Sequence, residues 1–180
     1  MKITDDYIFF WKESPMCNFT KCKIKYVFPD SEVGEELYFS SSEQLFMWFK
    51  AMFFNDIETA NHIYKSTTPE EARKLGRLVK DYDDQLWDEV RVSYMRKAII
   101  YKFFQNKELR EQLLDKRYDG KKFVEAAYYD RIWGIGYNEN DALKNIANWG
   151  KNELGKILDE VREKSSTLEA LISDLELEEV

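Results

Sequence analysis

The chain has 180 residues, a formal charge of −7, 44% apolar content and 16% aromatic content. That length fits one domain with an appendage. The final segment 165–180 carries −5 and residues 1–164 only −2, which argues against bulk capture of duplex DNA, because that needs a basic footprint. Two cysteines, Cys17 and Cys22, are too few for a disulfide framework, and with His62 the only histidine they make a poor zinc set.

The start, "MKITDDYIFFWKESP", has an apolar patch of five residues preceded by acids, so it does not read as a signal peptide. No stretch approaches the ~18 apolar residues of a membrane span. The expected compartment is the cytoplasm, with both thiols reduced.

Three β-prone runs come first: "YIFFW", "KIKYVF" and "LYFS". The polar segment Pro29 to Glu36 reads as a turn between the last two. A small antiparallel sheet is expected. The segment "SSSEQLFMWFKAMFF" then opens the helical part, with Ser40 or Ser41 as cap and Glu43 at capping-box spacing from Ser40. In "TTPEEARKLGRLV", Thr68 caps, Pro69 takes the first helical position, and Leu75, Leu78 and Val79 form an apolar stripe. Gly76 is costly inside a helix, which suggests close packing there.

A long helix is expected from Asp84 to Phe104, with Leu86, Val90, Tyr94, Ala98, Tyr101 and Phe104 recurring at helical spacing. Lys102 near its end favours the helix C-terminus. "KELREQLLDK" is a short helix, "YDGKK" a turn, "KFVEAAYYD" a strand and "RIWGIGYNEND" a loop. A last helix spans about Leu154 to Arg162. The tail 165–180 is expected to be a separate acidic helix or tail beyond a domain of residues 1–164.

Glu43 and Lys50 are seven residues apart on the opening helix. They share a face, roughly 10 Å apart along the axis, with Met47 between them. That is too far for a helical salt bridge. Either one pocket holds both charges, or Glu43 merely closes the cap and Lys50 snorkels to water. Spacing alone leaves both open and favours the second. In "FVEAAYYDRIWGIG", Glu125, Asp130 and Trp133 either place carboxylates beside an indole in a substrate site or form only a glycine turn with a core Trp, while "WGIG" lacks the spacing of a dinucleotide fingerprint. Arg77 offers either a fork for phosphate or an ion pair at the surface or between helices, and its position alone favours the ion pair. A single histidine rules out a Ser–His–Asp site or a multi-histidine metal site, so acid–base work falls to carboxylates, lysine or tyrosine. That suits glycosidic chemistry better than ester hydrolysis.

Taken in order, five segments resemble the YbiA-like family, also called NADAR domains, over roughly residues 7–163. They are "CNF" at Cys17–Phe19, "SSEQLFMWFKAMFF", "ARKLGRLVKDYDDQLWDEVRVSYMRKAIIYKFFQN", "FVEAAYYDRIWGIG" and "WGKNELGKILDEVR". The resemblance implies an α+β fold, mainly helical with a small sheet, and N-glycosidase activity without metal or cofactor. Members of the family act on riboflavin-pathway aminopyrimidines carrying ribose 5-phosphate, or remove ADP-ribose from guanine bases. A phosphorylated N-riboside is therefore the expected partner. ADP-ribosylated nucleic acid is the alternative substrate, and a non-catalytic ADP-ribose-binding module the third reading.

By resemblance, Glu43, Lys50 and Asp130 map to the catalytic positions. Asn18, Arg77, Trp87, Glu125 and Trp133 map to substrate binding. Two departures stand out. Cys17 replaces the usual serine, and "YNENDALKNIAN" is inserted after "WGIG", which gives any pocket rim its own character.

Overall fold

The computed structural model describes residues 1–28 and 36–165. The tail from 166 onward, expected as a separate helix, lies outside the described residues. The fold is α+β and mainly helical, and its described elements fall into two compact units: Asn18–Lys107, and Met1–Cys17 together with residues 108–165.

In the Asn18–Lys107 unit, strands β3 (Ile24–Val27) and β4 (Glu36–Phe39) pair antiparallel, Ile24 opposite Phe39. Helix α1 (Ser42–Phe53) packs against α2 (Ile57–Lys65), α3 (Pro69–Gly76) and α4 (Asp84–Gln105). Tyr26, Phe39, Trp48 and Phe49 fill the space between the hairpin and α1 with tilted and edge-on rings, the geometry that aromatic quadrupoles prefer.

Each of these four helices begins on a side-chain cap. Ser41 accepts from the Gln44 amide, Asp56 from Thr59, Thr68 from Glu71 and Asp83 from Leu86. Helix α2 has no counterpart among the expected elements. It is short and amphipathic, and Asp56 is its start signal.

Three expectations need correction here. Helix α3 ends at Gly76, so the expected stripe breaks: Val79 is buried but Leu78 is 68% exposed. The chain instead turns, with Asp81 in the left-handed region at φ 52. On α4 the buried face is rotated from the expected one. Trp87, Met95, Ala98, Ile99 and Phe103 are inside, whereas Leu86 is exposed. Lys102, expected to serve the helix end, is wholly buried at 0% exposure.

In the other unit, β1 (Lys2–Ile3) pairs antiparallel with β2 (Tyr7–Phe10), and β2 pairs parallel with β5 (Lys122–Glu125). The parallel pair joins segments over a hundred residues apart, so no local pattern announces it. The expected strand "KFVEAAYYD" stops at Glu125, where the chain turns. Helix α6 (Glu153–Lys164) packs on β5, and Phe9, Val124, Ala126, Ile135 and Ala142 form a core under Tyr7, Tyr137 and Trp149. A short helix α5 (Lys107–Leu113) precedes β5. No helix among the described residues is long and apolar enough to cross a membrane.

Candidate functional site

The first turn of α1 is built by residues that the chain brings from either side of it. Ser41 is the N-cap, so the third helical position belongs to Gln44 and not to Glu43. The capping role expected for Glu43 is therefore filled by Gln44. Its Oε1 accepts from the Ser40 amide at 2.8 Å and from the Ser40 hydroxyl at 3.0 Å. Its Nε2 donates to the carbonyls of Ile63, Tyr64 and Ser66 at 3.0–3.1 Å.

Glu43 sits one position earlier, 5% exposed, near the positive end of the helix. Asn18 fixes this turn. Its carbonyl accepts from the Glu43 amide at 3.1 Å and from the Ser42 hydroxyl at 3.2 Å. Its Nδ2 rests on Met95 Sδ at 3.2 Å.

Two turns along the same face lies Lys50. It does not snorkel freely. Nζ donates to the Gly76 carbonyl at 2.9 Å and lies 3.8 Å from the centroid of Tyr82. Loss of water pushes the amine below the ordinary lysine range, and the negative charge of Asp84 partly opposes this.

The Gly76 carbonyl can come this close because the glycine lets α3 pack on α1. A β-carbon at position 76 would lie 2.2 Å from Met47 Sδ and 3.1 Å from its Cγ. The Tyr82 hydroxyl donates to Asp84 at 2.5 Å, and its own pKa is pushed up to about 12 by burial and by that bond.

Of the remaining residues expected in this unit, Trp87 is buried and stacked on Tyr94 at 5.7 Å, with Phe46 5.4 Å away. Arg77 is exposed at the C-cap of α3. Sequence reasoning passed over Tyr82, Asp84, Arg91 and the burial of Lys102. Arg91 pairs with Asp88, while its Nε is buried without a hydrogen-bond partner among the described residues. None of these four has a spacing signal. Only the fold brings Tyr82 and Asp84 to Lys50.

Cys22 is half-buried beside this region. Burial raises its thiol pKa, against the lowering effect of Lys102. Cys17 is buried.

In the other unit, Glu125, Asp130 and Trp133 lie around one turn. The Asp130 carboxylate accepts from the Ile132 and Trp133 amides, both at 2.9 Å, so it folds the loop. The Glu125 amide donates to Asn152 Oδ1 at 3.0 Å, and the Glu125 carbonyl accepts from Ile135. Gly134 makes this possible, since a β-carbon there would lie 2.7 Å from the Glu125 carbonyl oxygen. Among the described residues no group of three or more His, Cys, Asp or Glu is placed to hold a metal ion.

The NADAR domain model matches residues 9–165, and so spans segments of both units. The protein irg-1 of Caenorhabditis elegans is 37% identical over 171 residues, which cover 92% of this chain and 76% of that one. An N-glycosidase of Acanthamoeba polyphaga mimivirus is 35% identical over 135 residues, covering 73% and 78%. The solution structure of the Escherichia coli protein YbiA superposes with a TM-score of 0.68 at 29% identity, covering 92% of this chain and 88% of that one. Sequence and fold agree, and the chain belongs to the NADAR family, whose named members include N-glycosidases.

Proposed function

We propose that this protein is an N-glycosidase acting on a phosphorylated N-riboside of the ribosylaminopyrimidine type, with Lys50 as nucleophile and Glu43 as proton carrier. The observation that carries the reading is the state of Lys50. Among the described residues its amine is held by a carbonyl and a ring, not by a carboxylate, and its pKa is lowered. A lysine in that state has a larger share of free amine at neutral pH, which is what a nucleophilic lysine requires.

The ribosylamine opens to an imine at C1. Lys50 Nζ adds to C1, the C1–N bond to the base breaks, and the base leaves as its amine after taking a proton. The new Lys50–C1 imine is then hydrolysed by water, which releases the sugar and returns the amine. Glu43, buried at the start of the same helix, delivers and recovers the proton.

The supporting residues take these roles. Asn18 positions Glu43 through the first turn. Trp87 backs the wall from within the aromatic cluster. Arg77 and Arg91 are the candidates for phosphate. In the other unit, Asp130 holds the loop that carries Trp133. Cleavage of ADP-ribosylated guanine in a nucleic-acid strand is the second reading, favoured by the same lysine and carboxylate pair. It needs a groove for a strand beside Glu43, which the charge of residues 1–164 neither supports nor forbids.

The test is to supply the ribosylaminopyrimidine phosphate and ADP-ribosylated guanine DNA separately, measure released base, and trap with borohydride. The first substrate is expected to turn over, with a reduced sugar adduct mapped to Lys50. Lys50→Ala is expected to lose at least ~100-fold in kcat. An adduct on Lys102, or activity retained in Lys50→Ala with no adduct, would overturn the nucleophile.

A further inference from the structure

We propose that Tyr82 is the positioning residue of Lys50: its ring covers the amine and keeps water from it, and Asp84 holds the ring in place. The proposal rests on the reading of Lys50 as nucleophile, and it reaches a residue that no motif or spacing singles out.

Four observations meet at this ring. Lys50 Nζ lies 3.8 Å from its centroid while donating to the Gly76 carbonyl at 2.9 Å. The Tyr82 hydroxyl donates to Asp84 at 2.5 Å, which ties the ring to the first turn of α4. Phe54 packs edge-on against it at 5.4 Å. The turn that delivers it is itself anchored. Asp81 takes a left-handed φ of 52, and the Lys80 amide donates to Asp56 Oδ2 at 2.9 Å. A tyrosine 40% exposed to solvent is thus fixed on three sides.

The arrangement fits a resting lysine. A carbonyl and an aromatic face hold the amine in one place, yet neither forms a covalent or full ionic bond that a substrate would have to break. The ring also removes water, and desolvation favours the neutral amine. The groups acting on Lys50 can be named element by element. Asp84 faces it from α4, Tyr82 from the turn, and the Gly76 carbonyl from α3. On its own helix Glu43 shares the face, roughly 10 Å away. Asp88 and Arg91 act on Tyr82.

Two substitutions then pull in opposite directions. Tyr82→Ala lets water reach the amine, which raises its midpoint by more than the lost attraction of the ring face lowers it. Asp84→Asn keeps an acceptor for the tyrosine hydroxyl but removes the charge that favours the ammonium, so the midpoint falls.

The experiment is competitive acetylation of Lys50 across pH, read by peptide mass spectrometry without substrate. The proteins are wild type, Tyr82→Ala, Tyr82→Phe and Asp84→Asn, with kcat and KM measured alongside. The labelling midpoint is expected to move up in Tyr82→Ala, less in Tyr82→Phe, and down in Asp84→Asn. Tyr82→Ala is also expected to lose roughly tenfold or more in kcat, with a smaller change in KM. An unmoved midpoint in Tyr82→Ala overturns the proposal. So does movement of Tyr82→Ala and Asp84→Asn in the same direction, which is what general loosening would give. Should Tyr82→Ala fail to fold, the opposed signs of Tyr82→Phe and Asp84→Asn decide. Because labelling needs no turnover, shifted midpoints with an inactive wild type would sink the glycosidase reading alone. Turnover through a Lys50 adduct with unshifted midpoints would sink the role of Tyr82 alone.

Discussion

At the level of single residues, the pairing of Gly76 with Lys50 explains a glycine that helix propensity disfavours. Its missing side chain lets α3 close on Met47, and its carbonyl receives the amine. A β-carbon would clash with the Met47 sulfur and press on its Cγ and Cβ at 3.1 and 3.3 Å, so the flexible end must swing away and the rest of the side chain must give by a few tenths of an ångström. Gly76→Ala is therefore expected to cost about 1–3 kcal/mol by overpacking. It should also lower kcat by displacing the carbonyl that holds Lys50. Urea unfolding with parallel kinetics checks both, and an unchanged midpoint with full activity would refute the packing account. The oddity of Gly76 was legible in the sequence. So was the shared face of Glu43 and Lys50. The partners of Lys50 were not, because Tyr82 reaches it through a turn whose shape depends on a left-handed Asp81.

At the level of elements, the caps carry two further predictions. Gln44 ties α1 to the end of α2 through the carbonyls of Ile63, Tyr64 and Ser66. Gln44→Ala takes this donor from the Tyr64 and Ser66 carbonyls, while Ile63 keeps its bonds from Ser66, and is expected to cost about 1–3 kcal/mol, read as a lowered Tm. Asp56 caps α2 and also receives the Lys80 amide. Its carboxyl is held down to about 2, first by the Lys80 amide and then by the hydrogen bond from Thr59. The folded value lies below the unfolded one, so its stabilisation is complete above about pH 4 and is lost as pH falls through about 2. Asp56→Ala is thus expected to be less stable than wild type by about 1 kcal/mol at pH 7. The gap should close on acidification, as denaturant titrations at several pH values would show. A constant gap would mean the cap works without its charge. Helices α1, α3 and α4 announced themselves through caps and period. Helix α2 is only two and a half turns long and rich in polar residues, and α3 stopped where a stripe seemed to continue. Local patterns are weakest at such ends.

Across the whole molecule, the family was legible from five ordered segments, and the mainly helical α+β fold followed from it. The pairing of β2 with β5 was not legible, because a parallel ladder between distant segments leaves no local trace. Charge gives the prediction at this scale. Residues 1–164 carry only −2, so few phosphates of a strand would be neutralised. Binding of single-stranded DNA is expected to weaken by less than roughly tenfold between 50 and 200 mM salt, as for one or two phosphate contacts. Fluorescence anisotropy at several salt concentrations measures this. A steep slope would reveal a basic track and promote the nucleic-acid substrate.

The two cysteines carry a practical consequence. Cys17 is shielded by burial, and Cys22 is half-covered with a thiol whose pKa is raised, so both are slow toward alkylating reagents at neutral pH. The wild-type chain is therefore a nearly silent background for thiol labelling. A single cysteine introduced at the exposed Leu78 would take a maleimide dye selectively, and that dye would sit in the turn leading to Tyr82. Its emission would follow that turn in real time as substrate arrives and product leaves.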